Sequence, residues 1–378
     1  MTMNKLKVMT VVGTRPEIIR LAPTIKQLDA STDHVLVHTG QNYDYELNDV
    51  FFRDLGLRQP DHFLKADVTS LGTALGSILI KTEQVIAEEK PDAFLVLGDT
   101  NSCVSAIMAK RMHVPVFHME AGNRSFDENV PEETNRRIID HTADYNLAYT
   151  EHARRNLLAE GLHPSRIIVT GSPMAEVLSG NQSQIEASTV VANQGLTPQG
   201  YFLVSLHREE NVDYPDRLAL ACETLQAVQA AYRLPILVST HPRTRKRLEA
   251  LPDSLKAGLI FHPPFGFNDY VKLQTEAKAV LSDSGTISEE SSILGFPAIT
   301  LRDFIERPEA LDTGSIITAG LEPSSVLEAL DLVIRLSRPQ PPVDYQIMDT
   351  SARVVSFIVG TVHSHRRRLG LFSGTVSS

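Results

Sequence analysis

The fold is decided by a strand, a turn and a helix that follow one another around Asp283-Ser284-Gly285-Thr286-Ile287-Ser288-Glu289-Glu290. The apolar run from Ala279 to Leu281 ends just before this stretch and predicts a buried strand. Small residues then predict a turn, after which a helical pattern begins. Free backbone N–H groups and the positive end of a helix macrodipole make such a turn a natural seat for phosphate.

Two charged residues extend this predicted anion site. Glu290 lies one turn into the helix, where its carboxylate can accept hydrogen bonds from both hydroxyls of a ribose. Arg307, in Glu306-Arg307-Pro308-Glu309, follows the next strand and can hold a diphosphate oxygen. Together with the turn at 284–286, they predict a site for a nucleoside diphosphate that carries a sugar.

Short apolar runs alternate with longer helical patterns along most of the chain. This alternation predicts an α/β fold with parallel, doubly wound sheets and helices on both faces. The predicted strands are Val8 to Val12, Val35 to His38, Ala93 to Leu97, Val114 to His118, Ile167 to Thr170, Tyr201 to Leu206, Ile236 to Ser239, Leu259 to His262, Ala279 to Leu281 and Ala298 to Leu301.

The alternation stops in a polar stretch between about Met174 and Gly200 and then resumes. At 378 residues the chain exceeds the size at which single cores stop growing. We therefore expect two similar Rossmann-like domains that face a cleft, an N-terminal one at 1–176 and a C-terminal one at 177–350. The last helix, at about 351–378, is expected to pack back on the first domain.

Composition narrows the classes of partner. Hydrophobic residues make up 42% and charged residues 22% of the chain, as in ordinary soluble globular proteins. The formal net charge of −10 argues against nucleic acid. Cys103 and Cys222 predict neither a disulfide framework nor a thiolate metal site. With no signal-peptide pattern and no long apolar run, we expect a cytoplasmic protein without a membrane partner.

Two arginines follow the first predicted strand and are expected to lie at its carboxyl end. Gly13-Thr14-Arg15-Pro16-Glu17 closes that strand and opens a helix, which places Arg15 at the mouth of the sheet and Arg20 one turn along. We favour an anion contact over a purely structural turn. The motif is not Gly-x-Gly-x-x-Gly, so dinucleotide binding is not supported.

Carboxylates follow two neighbouring predicted strands. Asp99 comes after one strand and Glu120 after the next, so both can point into the predicted cleft. A lone carboxylate at such a place can instead cap the next helix. Glu132 opens a further helix, where acidic residues ordinarily complement the dipole. That explanation leaves Asn135 and Arg136 unexplained.

Two histidines follow strands of the second domain. His207 comes directly after the first of these strands, where an imidazole can shuttle a proton or donate to a departing phosphate. A structural role is the alternative. His241 follows the next strand, and a structural role explains it equally well.

In order and spacing, these motifs resemble those of the non-hydrolysing UDP-N-acetylglucosamine 2-epimerase family, from Gly13 to at least Arg307. The resemblance implies two Rossmann-like domains in a glycosyltransferase-B arrangement, with the active site between them. It further implies a homodimer that closes around a UDP-N-acetylhexosamine and needs neither NAD nor metal.

Site residues are carried over position by position. The resemblance implies catalytic roles for Asp99, Glu120, Glu132 and His207. It implies contacts with or near UDP for Arg15, Arg20, Ser284, Gly285, Thr286, Glu290 and Arg307. We add Arg136 and His241 as candidate contacts with the UDP-sugar.

The chain departs from the family pattern at a second, allosteric UDP-N-acetylglucosamine site. Many bacterial members carry Gln-His-Arg after the second strand and an arginine pair after the second-domain histidine. Here the first stretch reads Gln41-Asn42-Tyr43-Asp44-Tyr45, and Glu209 replaces the second arginine. A carboxylate in place of a guanidinium removes an anion contact and adds repulsion, which argues against allosteric activation by the substrate.

The loop from Asn123 to Pro131 is shorter than in the usual enzymes of the family. It resembles a subgroup from capsule and O-antigen pathways, the UDP-N-acetyl-L-fucosamine synthases, which act on UDP-2-acetamido-2,6-dideoxy-L-talose. A similar enzyme acts on UDP-2,3-diacetamido-glucuronate. The sequence does not separate these substrates from one another or from UDP-N-acetylglucosamine.

The resemblance also implies a mechanism, in which UDP is eliminated to leave a 2-acetamidoglycal and then adds back. We expect Asp99 and Glu132 to transfer the protons, Glu120 to orient the sugar or stabilise charge, and His207 and Arg307 to stabilise the diphosphate. The alternatives are a hydrolysing epimerase, a glycosyltransferase of the same architecture, and a non-catalytic sensor of nucleotide sugars.

Overall fold

A computed structural model of the protein describes residues 5–41, 51–127, 130–336 and 339–368. The chain divides into two compact units. The first takes in the residues up to Asn123, Pro131–Val177 and the chain from Ile347. The second comprises Arg124–Val130 and Leu178–Gln346.

Each unit is built on one parallel sheet, whose central strands are apolar and buried on both faces. The described strands of the first unit are β1 (Lys7–Val12), β2 (Asp33–His38), β3 (His62–Phe63), β4 (Ala93–Leu97), β5 (Val116–Met119), β6 (Tyr145–Ala148) and β7 (Ile167–Val169). Those of the second unit are β8 (Phe202–Leu206), β9 (Ile236–Thr240), β10 (Leu259–His262), β11 (Ala279–Ser282), β12 (Ala298–Thr300) and β13 (Ile317–Thr318).

Helices connect the strands, as parallel neighbours require. In the described ranges they are α1 (Arg15–Ser31), α2 (Leu71–Glu89), α3 (Ala106–Arg111), α4 (Pro131–Thr142), α5 (Glu151–Ala159), α6 (Met174–Gly180), α7 (Gln182–Ala187), α8 (Val190–Asn193), α9 (Glu209–Val212), α10 (Pro215–Tyr232), α11 (Pro242–Leu248), α12 (Asp253–Lys256), α13 (Phe267–Glu276), α14 (Ile287–Leu294), α15 (Pro308–Asp312), α16 (Pro323–Arg335) and α17 (Thr350–Arg368). Helical residues at 51–54 and three 3₁₀ turns, Asn101–Ser105, Pro164–Arg166 and Val343–Tyr345, complete the described set. In none of these parts of the chain is a helix both long enough and apolar enough to cross a membrane.

The order of strands in the first sheet is β3-β2-β1-β4-β5-β6-β7. From β1 the chain adds strands toward one edge of the sheet, and from β4 it adds strands toward the other edge. β1 and β4 are neighbours and pair with Val8 opposite Ala93. Ligands bind parallel sheets at the carboxyl side of such a switch point. The turns that leave β1 and β4, at Gly13 and Gly98, lie side by side there.

The second sheet has the order β10-β9-β8-β11-β12-β13. Its switch point lies between β8 and β11, where Phe202 pairs with Ala279. The chain leaves β8 at His207 and leaves β11 at Asp283, so these two residues emerge next to each other.

The predicted α/β class with two doubly wound sheets is confirmed, and each predicted strand is present within one or two residues of its predicted bounds. Three short strands lie outside the prediction: β3, β6 and β13. β3 and β13 have only two residues each, too few for a pattern. β6 reads Tyr-Asn-Leu-Ala and contains the polar Asn146. Asn146 can be buried because its side chain donates a hydrogen bond to the carbonyl of Asp140.

The last helix belongs to the first unit. The Thr350 hydroxyl donates to the carbonyl of Thr170 at 3.3 Å, and the Ser351 N–H donates to Glu176 at 2.9 Å. Residues 369–378 lie outside the described ranges. The predicted domain limits, 1–176 and 177–350, stay a prediction.

Candidate functional site

Glu17 ties together two turns at the carboxyl edge of the first sheet. Its carboxylate accepts hydrogen bonds from the Gly13 N–H at 2.9 Å and the Thr14 hydroxyl at 2.8 Å. The Ser102 hydroxyl, in the turn after β4, also donates to it. A Cβ at Gly13 would lie 2.4 Å from the Thr39 hydroxyl, so any other residue here would have to displace the Thr39 side chain. The backbone before Arg15 is therefore held firmly in place.

The two arginines of α1 have different surroundings. Arg15 is partly buried, and its guanidinium carbon lies 5.6 Å from the centroid of the Phe51 ring. Arg20 is buried and donates from Nη1 to Oε2 of Glu120 at 3.0 Å. Its guanidinium also lies over the Tyr149 ring. Arg20 thus positions a candidate catalytic carboxylate.

Glu120 has an unusual backbone conformation. Its φ is +64°, in the left-handed region that residues with side chains seldom adopt. Asn123 donates to Oε1 of Glu120 at 3.3 Å, so neighbours hold both carboxylate oxygens. Strained backbone of this kind persists where the surrounding structure enforces it, and it clusters at functional sites.

The turn that carries Glu120 also requires a glycine. Gly122 has a φ of +85°, and a Cβ there would lie 2.3 Å from the backbone oxygen of Ala153 in α5. No side chain can be accommodated at that distance. The turn is wedged against α5.

Asp99 is held by α4. Arg136 donates to Oδ2 of Asp99 from Nε at 3.1 Å and from Nη2 at 2.5 Å. Asn135 donates to the backbone oxygen of Asp99 at 2.9 Å. The Asp99 side chain remains 25% exposed, so it can still reach a ligand. The helix dipole explained the acidic residues of α4 but not Asn135 and Arg136. Both of these side chains hold the turn that carries Asp99.

Two glutamates open α4, and they differ. Glu132, the predicted catalytic residue, lies half-buried in the first turn of the helix. Glu133 is buried and accepts from Nη1 of Arg136 at 2.7 Å and from Arg137 at 3.1 Å. Arg136 therefore lies between two carboxylates, those of Asp99 and Glu133. Since Asn135 joins this helix to the Asp99 turn, Glu132 belongs to the same edge of the sheet.

In the second unit, Asp283 organises the turn after β8. It is fully buried and accepts from the backbone N–H groups of His207, at 3.1 and 3.0 Å, and of Arg208, at 3.0 Å. Burial alone would raise the pKa of Asp283, but the His207 ring and the Arg208 amide hold that pKa below its ordinary value.

The same carboxylate orients the His207 ring. Nδ1 of His207 lies 3.1 Å from Oδ1 of Asp283, and the side chain is 35% exposed. A carboxylate only accepts, so Nδ1 carries a proton and Nε2 is the ring nitrogen that can exchange a proton with a ligand. His241 lies near it, with 6.2 Å between ring centroids. Nδ1 of His241 accepts from the Arg243 N–H at 3.3 Å, so His241 also caps α11.

The predicted phosphate turn makes local hydrogen bonds. The Ser284 N–H donates to the Ser282 hydroxyl at 3.1 Å, and the Thr286 N–H donates to the Ser284 hydroxyl at 3.3 Å. A phosphate at this turn would exchange these hydroxyl contacts for its own. α14 starts one residue later, with Glu290 in its first turn. Gln274 donates to Oε2 of Glu290 at 2.6 Å.

Arg307 lies against this turn. Its Nε donates to Oε2 of the fully buried Glu289 at 2.9 Å. A Cβ at Gly285 would lie 2.7 Å from Nη1 of Arg307, so the absence of a side chain lets the guanidinium approach. The structure thus brings Ser284, Gly285, Thr286, Glu290 and Arg307 together at one edge of the second sheet.

The predicted site residues do not include Glu17, Glu133, Asp283 or Glu289. Asp283 follows a buried strand just as Asp99 does, and that placement could have identified it. Its role needs the strand order, because only the neighbouring position of β8 and β11 brings it to His207. No group of three or more His, Cys, Asp or Glu side chains within the described ranges is arranged to hold a metal ion.

Glu17 predicts a pH dependence of stability. Burial raises its pKa from 4.5 to about 7, against hydrogen bonds from Ser102 and Thr14 that lower it. Because the pKa is raised, between pH 4.5 and about 7 the folded protein keeps the proton on Glu17, whereas the unfolded chain has lost it. Its contribution to the free energy of unfolding is therefore complete below pH 4.5 and lost as the pH rises through about 7.

Glu17→Gln should remove that dependence. The quantity to compare is the free energy of unfolding of the variant minus that of the wild type, measured by urea denaturation. This difference should be higher at pH 8 than at pH 5 by about 2 to 3 kcal/mol. Glu83→Gln, on the exposed face of α2, serves as the control and should show the same difference at both pH values. Parallel stability curves for Glu17→Gln and the wild type would contradict the prediction.

Comparison with known proteins identifies the family. The sequence model described as UDP-N-acetylglucosamine 2-epimerase matches residues 26–359. The solved UDP-N-acetylglucosamine 2-epimerase from Rickettsia bellii is 45% identical, with a TM-score of 0.91 over 97% of this chain and 100% of that chain. The enzyme from Methanocaldococcus jannaschii, solved with UDP-GlcNAc and UDP, is 36% identical, with a TM-score of 0.89 over 94% of this chain and 100% of that one.

A further relative has a different substrate in its name. The UDP-2,3-diacetamido-2,3-dideoxy-D-glucuronate 2-epimerase of Pseudomonas aeruginosa is 34% identical over 330 residues, which are 86% of this chain and 91% of that protein. The matches confirm the predicted class of enzyme, an epimerase of nucleotide sugars. The chain belongs to the UDP-N-acetylglucosamine 2-epimerase family.

Proposed function

We propose that this enzyme is a non-hydrolysing 2-epimerase of UDP-N-acetylhexosamines. One observation carries the proposal: Asp99 and Glu120 leave the neighbouring strands β4 and β5, and an arginine holds each carboxylate in place. Inversion of a carbon centre needs acid/base groups on opposite faces and a further group that orients the sugar between them, and fixed carboxylates at neighbouring strand ends can supply both kinds of group.

The chemistry explains why UDP must leave first. The hydrogen at C2 of the sugar is not adjacent to a carbonyl, so direct removal is very unfavourable. Cleavage of the C1–O bond builds positive charge at C1, which acidifies the C2 hydrogen, and a carboxylate then takes the proton. The products are a 2-acetamidoglycal and UDP. UDP adds back at C1 while a proton is delivered to the other face of C2.

The candidate residues divide this work. We assign proton transfer to Asp99 and Glu132, and orientation of the sugar and charge stabilisation to Glu120. His207 is assigned proton donation from Nε2 to the departing diphosphate, since Asp283 fixes its Nδ1 proton. Arg307 and the turn at 284–286 stabilise the diphosphate charge, and Glu290 binds the ribose. Arg15, Arg20, Arg136 and His241 complete the proposed binding set.

Substrate and setting are part of the proposal. The M. jannaschii relative was solved with UDP-GlcNAc, whereas the P. aeruginosa relative is named for a diacetamido sugar. The short loop at 123–131, in which Glu128 and Asn129 lie outside the described residues, favours modified hexosamines such as UDP-2-acetamido-2,6-dideoxy-L-talose. We propose a cytoplasmic homodimer that supplies precursors of cell-surface polysaccharide. Incubation with a panel of UDP-sugars, followed by NMR, tests the substrate.

The position of Glu209 supports an enzyme without allosteric activation by its substrate. Glu209 accepts from Nη1 of Arg243 at 2.6 Å, and the same arginine donates to Asp213 at 2.6 Å. These carboxylates line a cavity of about 410 Å³ together with Asp127 and Asp303. Arg217 and Arg302 also line the cavity, but with Glu210 the carboxylates outnumber these two arginines, and the excess negative charge repels a diphosphate. The other departure, at Asn42 to Tyr45, lies outside the described residues.

Turnover in D₂O should place deuterium at C2 of the product, because the proposed mechanism removes that hydrogen and returns one from solvent. NMR of the product measures the label directly. The glycosidic bond to UDP must be intact in both epimers, and free UDP must not accumulate as turnover continues. A product without deuterium would rule out proton exchange at C2.

The same experiment separates the rival functions. A hydrolysing epimerase releases UDP in proportion to turnover. A glycosyltransferase of this architecture requires an acceptor and does not isomerise the sugar in its absence. A sensor binds the nucleotide sugar without converting it.

A further inference from the structure

A buried histidine–aspartate pair lies behind the candidate site of the first unit. His118 in β5 and Asp140 in α4 are both fully buried. Nδ1 of His118 lies 2.9 Å from Oδ1 of Asp140, and Nε2 of His118 lies 2.8 Å from the carbonyl oxygen of Gly98. Since neither side chain reaches the surface, neither can touch a substrate.

Hydrogen-bond geometry requires two protons around the His118 ring. A carbonyl oxygen only accepts, so Nε2 of His118 carries a proton. Both oxygens of Asp140 also accept from the Gly122 N–H, at 3.2 and 3.1 Å, as those of a carboxylate do. The 2.9 Å contact between Nδ1 and Oδ1 also requires a proton, which lies on Nδ1 in an imidazolium–carboxylate pair and on Oδ1 in a neutral pair. The approach of the Gly122 N–H to both oxygens of Asp140 favours the carboxylate form.

The pair contacts the two turns that carry the candidate carboxylates. Gly98 directly precedes Asp99, and Gly122 comes two residues after Glu120. Both glycines have positive φ, +73° and +85°, so each turn has a specific backbone conformation to maintain. One hydrogen bond from the pair holds each turn: the bond to the Gly98 carbonyl and the bond from the Gly122 N–H.

We propose that His118 and Asp140 are positioning residues, which act as a buried imidazolium–carboxylate pair to fix the spacing between Asp99 and Glu120. The pair clamps the end of β4 to the turn after β5 and anchors both to α4. The inference rests on the proposed function in that it takes Asp99 and Glu120 as the carboxylates that act on the sugar.

Asp140→Asn tests the role in the reaction. The substitution keeps the shape of the side chain but removes the charge that pairs with the imidazolium. We expect kcat to fall on the order of 10²-fold, as for a misplacement of catalytic groups by about 1 Å. KM for the UDP-sugar and Kd for UDP should stay within about twofold, since the proposed UDP contacts belong mainly to the second unit.

Asn146→Ser is the matched control. Asn146 is buried and donates from Nδ2 to the backbone oxygen of Asp140 at 2.9 Å, so its loss loosens the same end of α4 without touching either turn. We expect a similar loss of thermal stability in both variants but unchanged kcat in Asn146→Ser. Unchanged kcat in a folded Asp140→Asn, or an equal fall of kcat in both variants, would overturn the inference.

NMR of the wild-type protein, labelled with ¹⁵N at histidine, provides a readout independent of activity. His118 should show two slowly exchanging ring N–H signals, assigned by through-space contacts to Gly98 and Asp140. A single ring N–H would overturn the inference even in an active enzyme. Conversely, failure of the wild type to epimerise any UDP-sugar would contradict the proposed function and leave this NMR result to be judged by itself.

Discussion

Asp99→Asn should lower kcat at least about 10²-fold, the loss typical of a removed general acid or base. Asparagine matches aspartate in shape, and its side-chain oxygen can still accept from Arg136, which now donates to Oδ2 of Asp99 at 3.1 and 2.5 Å. The turn should therefore keep its geometry while the group that accepts the proton is lost. Kd for UDP should be unchanged, because Asp99 is not among the proposed contacts with UDP.

The measurement is initial-rate epimerisation followed by NMR, with UDP binding followed by calorimetry. Asp67→Asn is the control, because Asp67 is an exposed carboxylate of the same unit, and its kcat should equal that of the wild type. Glu132→Gln should show a loss of the same order if it is the second member of the proton-transfer pair. Near-normal turnover in both variants would remove Asp99 and Glu132 from the mechanism.

Arg307→Met should lower the free energy of unfolding by about 3 to 5 kcal/mol, the usual cost of removing one member of a buried ion pair. Glu289, the partner of Arg307 at 2.9 Å, is fully buried and would lose this compensating charge. UDP affinity should fall as well, because the guanidinium is the proposed diphosphate contact.

A double variant separates these two effects. Glu289→Gln combined with Arg307→Met should recover most of the stability but none of the UDP affinity. Arg335→Met provides the control for loss of an ion pair, because Arg335 and its partner Asp331 are 69% and 61% exposed. Removal of such a surface pair should change stability by no more than about 1 kcal/mol. Recovery of UDP binding in the double variant would show that Arg307 acts only on the fold.

The sequence predicted those parts of the site that follow directly from strand ends. Asp99, His207 and the turn at 284–286 each come directly after a buried strand, and parallel topology sends such residues to one edge of their sheet. Their identification required only local patterns. The predicted bounds of the strands differ from those in the structure by a residue or two, because the ends of a strand depend on its pairing with neighbouring strands.

Partnerships across the sheet were not predictable in this way. Arg20 was expected near UDP and donates to Glu120, 100 residues along the chain, and Arg136 pairs with Asp99. Both contacts depend on which strands and helices are neighbours in space. The left-handed conformation of Glu120 also has no signal in its residue type, since it is enforced by the contacts around it.

The close backbone contact between Gly122 and α5 limits how the enzyme can be redesigned. A larger residue at 122 collides with the backbone oxygen of Ala153, which cannot move without displacing its helix. Libraries intended to change sugar preference should therefore leave this position constant and vary side chains around the hexose. Any change of sugar preference therefore has to come from positions other than 122.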